Sequence, residues 1–148
     1  GDVYKRQELL LQVAARNPSP EMLESAIAAA HDPRPDIRSA AAGLLGAIGG
    51  ERACRTLADL LVDGSERVRA QAARNLARLE HWRSASPIAE LLEDPAWHVR
   101  RAAAGALRSL GSVGRAHLRR ASHGGSPRAR DIARHVTDLP ETALGVLR

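Results

Sequence analysis

A repeat of 31 residues runs along the chain and limits what it can fold into. Three copies of one pattern align without a gap, and each copy carries an aspartate, an aliphatic residue followed by arginine, an alanine pair and a leucine. The matched positions are Asp32, Asp63 and Asp94; Ile37, Val68 and Val99; Arg38, Arg69 and Arg100; Ala41, Ala72 and Ala103; and Leu45, Leu76 and Leu107. A period of this length indicates an array of one supersecondary unit, whose copies bury their apolar faces by stacking.

Each copy predicts two helices. Ile37, Ala41, Leu45 and Ile48 follow the spacing of one apolar helical face, and the Gly-Gly pair at 49–50 ends that helix. A second run of leucines follows before the next aspartate. Because aromatic residues make up only 2% of the chain, the core must consist of small aliphatic side chains between closely spaced helices. The predicted fold class is therefore all-α, an α-α superhelix (solenoid) of stacked helical hairpins.

The Asp-Pro pairs at 32–33 and 94–95 predict helix boundaries. Proline is tolerated in a first helical turn but not in a helix interior. An aspartate beside it can cap the helix that follows, or can interact favourably with the positive N-terminus of that helix. Glu80 stands in the middle copy where the other copies have glycine.

The pattern Asp-Pro-x-x-x-Val-Arg-x-x-Ala-Ala-x-x-Leu resembles the short bacterial HEAT-like repeat, which is also found in phycobilin lyases. The resemblance covers about residues 17–137 and implies a HEAT-like repeat domain at 8–137, of about four hairpins plus a partial one. It also implies a structural hydrogen-bond ladder between neighbouring repeats. The ladder maps to Asp32 with Arg38, Asp63 with Arg69, and Asp94 with Arg100. The fourth copy keeps Arg130 but has Gly124–Gly125 in place of the aspartate, so we expect the ladder to end there.

The two ends of the chain depart from the repeat. Residues 2–7 hold the only lysine and the only tyrosine, and they resemble the translation of a transposon end used in sequencing-library preparation. We therefore predict that 1–7 is a non-native segment and that the chain is a fragment of a larger bacterial protein. Residues 138–148 predict the start of a further helix, over 139–147, or a truncated tail.

No residue pattern typical of catalysis or metal binding is present in the sequence. The six histidines form no His-Glu-x-x-His motif, and the single cysteine, Cys54, lies beside apolar residues of a second helix. HEAT-like hydroxylases carry iron on His-Glu dipeptides, and this sequence has no such dipeptide. We therefore predict that the protein is not an enzyme, that it has no catalytic or metal-binding residue, and that it binds no cofactor.

Charge and exposed aromatic side chains indicate where a partner could bind. Residues 8–98 sum to −3 and residues 99–148 to +7, although an arginine-rich composition of genomic origin would give the same excess. Arg115, Arg119 and Arg120 share one predicted helix, Glu90 and Glu93 lie on the equivalent helix one repeat earlier, and Trp82 and Trp97 lie at turns. These seven residues are the candidate partner-binding set. A groove that changes sign along its length favours a protein partner.

The leading hypothesis is thus a non-enzymatic scaffold or regulatory module that binds a protein partner or a neighbouring domain of the same protein. The alternative is binding of a nucleic-acid phosphate backbone through the arginine-rich C-terminal half. A lower alternative is a phycobilin-lyase-like subunit. No apolar run is long enough to span a membrane, and a single cysteine suits a reducing compartment, so we expect a cytoplasmic protein.

Overall fold

The computed structural model describes residues 2–140, which contain nine α-helices and no strand. The helices are α1 (Asp2–Arg16), α2 (Leu23–Ala29), α3 (Pro35–Ile48), α4 (Glu51–Leu60), α5 (Glu66–Arg78), α6 (Ala85–Glu90), α7 (Trp97–Ser109), α8 (Gly111–Gly124) and α9 (Pro127–Asp138). Short 3-10 turns lie at Pro20–Met22, Trp82–Ser84 and Leu91–Glu93. The predicted all-α class is confirmed.

The chain forms two compact units, Gly1–Asn75 and Leu76–Arg148, and the boundary between them in the sequence falls within the range of α5. In the N-terminal unit α1 and α2 both pack against α3, and α3 packs against α4. In the C-terminal unit α7, α8 and α9 pack against one another, and α6 packs against α7 and α8. None of the described helices is both long enough and apolar enough to cross a membrane.

The matched positions of the repeat form the core. Every member of the aliphatic, alanine and leucine sets is fully buried: Ile37, Val68, Val99, Ala41, Ala72, Ala103, Leu45, Leu76 and Leu107. Because matched positions of the three copies are equally buried, the 31-residue period of the sequence is also the period at which core side chains pack. The fourth copy follows it at Ala129 and Ala133, which are buried, but Thr137 is exposed where the other copies have leucine.

Of the two roles expected for Asp32 and Asp94, capping of the following helix was wrong. Each aspartate carboxylate accepts a hydrogen bond from the backbone N–H two residues later, which closes a turn ahead of the helix. These bonds join Asp32 to Arg34 at 2.9 Å, Asp63 to Ser65 at 2.8 Å and Asp94 to Ala96 at 2.9 Å. Since α3 begins only at Pro35 and α7 only at Trp97, the short carboxylate is used within the turn before the helix starts.

Residues with positive φ end the first helices, as the glycines predict. Gly49 and Gly50 have φ of 76° and 89°, and Gly111 has φ of 74°. Glu80 takes the same kind of turn with φ of 53°, a conformation that costs a residue with a Cβ atom free energy. Its backbone N–H still donates to the Ala77 carbonyl at 2.9 Å, so the helix end keeps its geometry without glycine.

Two other glycines allow side chains or helices to approach closely. A Cβ atom on Gly114 of α8 would lie 1.7 Å from the Leu107 carbonyl oxygen of α7. A Cβ atom on Gly46 of α3 would lie 1.9 Å from the amide oxygen of Asn75. The close spacing of helices predicted from the small aliphatic side chains therefore also depends on glycines that the repeat pattern did not single out.

Residues 2–7 are helical and belong to α1. The guanidinium of Arg34 lies 4.7 Å from the centroid of the Tyr4 ring and donates to the side chain of Gln7 at 2.8 Å. The non-native origin of this segment stays a prediction. At the other end, Leu139 and Pro140 follow α9 without helical structure, and the remainder of the helix predicted over 139–147 lies outside the described residues.

Candidate functional site

Helix α8 presents Arg115 and Arg119 to a single pocket in the C-terminal unit. Residues four apart lie on one helix face, so these two arginines project from the same side of α8. They line a cavity of about 220 Å³ together with Leu118 of the same helix, Arg108 of α7 and Thr137 of α9. We call this cavity the arginine pocket.

Thr137 is the residue at which the repeat pattern changes beside the arginine pocket. The leucines at this register position are fully buried in the preceding copies, whereas Thr137 is exposed. Its hydroxyl donates to the Ala133 carbonyl at 2.7 Å, which satisfies the hydroxyl within α9. A core position has thereby become part of a pocket wall.

None of the described residues that line the arginine pocket carries a carboxylate. Arg115 and Arg119 are exposed, and neither forms an ion pair within residues 2–140. Arg108 donates to the Val136 carbonyl, which holds its guanidinium at the end of α9. Cations arranged around a partly apolar cavity attract an anionic group and offer it hydrogen bonds.

Arg120, predicted as a third member of this group, lies apart from the arginine pocket. Its guanidinium nitrogen is 3.0 Å from Nδ1 of His117, on another side of α8. Burial, and secondly the charge of Arg120, lower the pKa of His117, so the imidazole is neutral at pH 7. The structure thus brings two of the three predicted arginines together and separates the third.

Of the two acidic candidates, Glu93 has a structural contact and Glu90 is exposed. The Glu93 carboxylate accepts hydrogen bonds from the backbone N–H of Ser126, at 3.2 Å, and from the Ser126 hydroxyl. These bonds, above all that from the hydroxyl, lower the pKa of Glu93. Because Ser126 is the N-cap of α9, Glu93 holds the start of that helix. Sequence reasoning missed this contact, since nothing local links residues 33 apart.

Both tryptophans are exposed, Trp82 at 57% and Trp97 at 56%. Each lies at the start of a helical segment, and the guanidinium of a nearby arginine lies over its ring. Arg83 is 5.4 Å from the Trp82 centroid, and Arg101 is 5.5 Å from the Trp97 centroid. A cation over the ring orients the indole while leaving its surface open to solvent.

The ladder arginine of the first copy divides its donors between two repeats. Nη1 of Arg38 donates to the backbone carbonyls of Asp32, at 2.9 Å, and Pro33, at 3.0 Å. Its Nε and Nη2 donate to the two carboxylate oxygens of Asp63, at 2.9 and 3.0 Å. The arginine therefore contacts the carbonyl of its own aspartate and the carboxylate of the next one. The Asp32 carboxylate instead pairs with Arg34, at 2.8 Å.

The contact with the backbone recurs in every copy. Arg69 donates to the Asp63 carbonyl at 2.9 Å, Arg100 to the Asp94 carbonyl at 2.7 Å, and Arg130 to the Gly125 carbonyl at 2.9 Å. The fourth copy thus keeps the bond to its own loop although it has lost the aspartate. In Arg38, Nη1 bonds to the loop of its own repeat, whereas Nε and Nη2 pair with the aspartate of the next repeat.

The surroundings of Cys54 determine the reactivity of its thiol. Cys54 is buried, and burial, followed by the charge of Glu51, raises the pKa of its thiol. A thiol of this kind is a poor nucleophile at neutral pH. Between residues 2 and 140, no three His, Cys, Asp or Glu side chains are grouped so that they could hold a metal ion.

Helical hairpins repeated at this period define an α-α solenoid protein. The chain belongs to the HEAT repeats family, which matches residues 1–67 and 55–136. No curated protein sequence matches the chain.

Solved structures with the same fold include a hydroxylase and a lyase complex. Human deoxyhypusine hydroxylase, in complex with glycerol, shares 26% identity at a TM-score of 0.65, over 78% of this chain and 42% of that chain. The CpcE–CpcF complex of phycocyanin lyase from a Nostoc species shares 19% identity at a TM-score of 0.65, over 95% of this chain and 62% of that chain. The second likeness shows the fold alone. The chain spans less than two thirds of either structure.

Proposed function

We propose that this HEAT-repeat chain is a scaffold that binds an acidic segment of a partner protein through the arginine pocket. The observation that carries the proposal is the presence of two arginines of α8, Arg115 and Arg119, around one cavity without an ion pair among the described residues. Guanidinium groups bind carboxylates through two parallel hydrogen bonds, which gives direction as well as charge.

The apolar part of the arginine pocket favours a polypeptide ligand. Leu118 also lines the cavity and is itself buried, so an entering side chain meets an apolar surface beside the charges. A glutamate matches this arrangement, because its methylene groups can contact leucine while its carboxylate reaches the guanidinium groups. This chemistry is typical of a protein interface with a desolvated centre.

A phosphate backbone matches the arginine pocket less well. Nucleic acids bind to rows of cations that follow the backbone over several phosphates. Helix α8 offers Arg115 and Arg119 on one face, whereas Arg120 contacts His117 on another. Glu93 is held by Ser126, so the mixed-charge groove expected from the sequence has fewer available acidic groups than predicted. A uniformly acidic partner is therefore favoured over one of mixed charge.

The similar structures give no reason to transfer their activities. A hydroxylase and a lyase share the repeat fold, yet this chain covers 42% and 62% of their lengths. One fold serves many functions, so function depends on the side chains of the site. We therefore assign the scaffold role to this chain, without the chemistry of either relative.

The test compares two neighbouring arginines of α8. A capped peptide rich in glutamate is titrated into the protein and into Arg119→Gln and Arg120→Gln, which remove the same charge from adjacent positions. Loss of a charged hydrogen bond costs about 1.5–3 kcal/mol, so Arg119→Gln should weaken binding about tenfold or more. Arg120→Gln should change it by less than about twofold, because an exposed charge outside the pocket contributes little.

Equal losses in the two variants would mean diffuse charge attraction and would contradict the proposal. A parallel titration with a DNA duplex separates the alternative. If the duplex binds more tightly than the peptide, and both variants weaken it alike, the phosphate-backbone hypothesis replaces the acidic partner.

A further inference from the structure

The contact between Arg38 and Asp63 defines how a ladder arginine recognises a carboxylate. One nitrogen of Arg38 is bonded to two carbonyls of its own loop, which fixes the plane of the guanidinium. The other edge, Nε and Nη2, then meets both oxygens of the carboxylate at 2.9 and 3.0 Å. The carbonyl bonds therefore orient the edge that binds the acid.

Arg100 has the first half of this arrangement without the second. Its Nη1 donates to the carbonyls of Asp94, at 2.7 Å, and Pro95, at 3.1 Å, as Arg38 does in its own loop. The next copy has Gly124–Gly125 in place of an aspartate. No described residue forms an ion pair with Arg100. The edge that binds a carboxylate in Arg38 thus has no carboxylate partner within residues 2–140.

A cavity of about 420 Å³ lies at this position in the C-terminal unit. The described residues that line it are Trp97, Arg100, Arg128, Asp131, Ile132 and His135. Trp97 gives an exposed aromatic surface, and Ile132 is a buried apolar residue. Arg128 adds a second cation, while Asp131 restricts the cavity to a ligand with few negative charges. We call it the Arg100 cavity.

We infer that the Arg100 cavity binds one aspartate or glutamate side chain of a partner polypeptide, with a neighbouring apolar side chain against Trp97. The carboxylate takes the place on Arg100 that Asp63 takes on Arg38. This inference depends on the proposed function in that the ligand is a protein, but it concerns a second cavity with its own residues. Its failure is therefore distinguishable from failure at the arginine pocket.

The probe is the peptide acetyl-Asp-Leu-amide, with acetyl-Asn-Leu-amide as the matched neutral control. Each is titrated into the ¹⁵N-labelled full chain, and the side-chain N–H signals of Trp97, Arg100, Arg115 and Arg119 are followed by NMR. The Asp peptide should shift Trp97 and Arg100 together and bind at least about tenfold more tightly than the Asn peptide, since a charged hydrogen-bond pair discriminates by that amount. Signals of Arg115 and Arg119 report on the arginine pocket in the same spectra.

Two variants test the role of Arg100, so the test still gives a result if one of them fails to fold. Arg100→Gln should remove the preference for the Asp peptide. Gly124→Asp, where a Cβ atom meets nothing within 4 Å, should restore the ladder aspartate and reduce peptide binding about tenfold while Arg100 stays in place. Gly124→Ala controls for the loss of glycine and should bind as the parent does.

Equal binding of the two peptides, or an Asp-peptide affinity unchanged in both Arg100→Gln and Gly124→Asp, would overturn the inference. Shifts confined to Arg115 and Arg119 would also overturn it, while leaving the proposed function standing. Shifts at Trp97 and Arg100 alone would support the Arg100 cavity and place the acid-binding site away from α8.

Discussion

At the residue scale, Asp32 makes two kinds of contact with one short side chain. Asp32 closes its turn through the backbone N–H of Arg34 and also pairs with the Arg34 guanidinium. The side-chain hydrogen bond from Arg34, followed by the backbone one, lowers the pKa of Asp32 from 3.8 to about 2. The ionised carboxylate is thus part of the folded loop.

Acid should therefore weaken the fold through Asp32. A carboxylate with a depressed folded pKa contributes stability above its unfolded pKa, and that contribution is lost as the pH falls through the folded pKa. The relevant window runs from pH 3.8 down to about 2. In thermal unfolding across this window, Asp32→Asn should lose less stability than the parent. Asp59→Asn, an exposed change of the same type on α4, should follow the parent; identical curves for all three would contradict the expectation.

Replacing Glu80 by glycine should stabilise the fold. Its φ of 53° is unfavourable for a residue with a Cβ atom, by about 1–2 kcal/mol, whereas glycine adopts it freely. Part of that gain is lost because glycine makes the unfolded chain more flexible. Glu80→Gly should therefore raise the free energy of unfolding by about 0.5–1 kcal/mol, measured by urea denaturation. Glu80→Ala keeps the Cβ atom and should show no comparable gain.

At the element scale, two glycines of α3 lie almost one turn apart in different surroundings. Nothing lies within 4 Å of a Cβ atom built on Gly43, whereas one built on Gly46 meets Cβ, Cγ and Oδ1 of Asn75. The Asn75 side chain is buried and donates to the Gln71 carbonyl at 2.8 Å, so it cannot move away without losing that bond. The same substitution should thus have opposite effects at the two positions.

Gly43→Ala should stabilise the chain by about 1 kcal/mol, because alanine is the better helix former. Gly46→Ala should destabilise it by about 1–3 kcal/mol, the usual cost of overpacking a buried contact. Urea unfolding of both variants measures the difference. Two stabilised variants would show that Asn75 repacks freely, which would refute the close contact.

The helices could be predicted from the sequence because apolar spacing and turn glycines are local signals. The burial of Ile37, Val68 and Val99 followed from their register, and Arg115 and Arg119 shared a face because helix geometry fixes residues four apart. Contacts between different helices and loops could not be predicted, because apolar spacing and turn glycines report only on local structure. The wrong capping role of Asp32, and the pairing of Arg38 with Asp63, depend on where the backbone turns before the helix.

The candidate site was predictable only in part for the same reason. Arg108 and Thr137 join the arginine pocket from α7 and α9, and neither position is marked by the helix that carries Arg115. Thr137 departs from the leucine register of the other copies, but whether such a departure leaves a pocket depends on the neighbouring helices. The Arg100 cavity could not be predicted from the sequence either, because the sequence does not show which donors of Arg100 are bonded within its own loop.

At the scale of the whole molecule, charge is distributed unevenly along the chain. Residues 99–148 carry an excess of +7, and residues 8–98 sum to −3. Such an excess raises the rate at which an acidic partner is captured, beyond what any single contact contributes. Long-range attraction of this kind is screened by salt, while a hydrogen-bonded carboxylate in a pocket is screened less.

Salt should therefore separate the two contributions. Raising the ionic strength from about 0.1 M to 1 M shortens the Debye length from about 10 Å to about 3 Å. Binding of the glutamate-rich peptide should weaken several-fold but keep its dependence on Arg119, as measured by comparing the parent with Arg119→Gln at both concentrations. Complete loss of that dependence at high salt would show that Arg119 acts through the general field.

The divided donors of the ladder arginine have a consequence for how such arrays change. Because the carbonyl bonds hold the loop, as Arg130 does at Gly125, the acid of the following copy can be lost without unravelling the hairpin. Each loss leaves the guanidinium of the preceding ladder arginine oriented to bind a carboxylate from a partner. A substitution of one aspartate in a repeat array can therefore remove one contact between neighbouring copies and create one binding site for a partner's carboxylate.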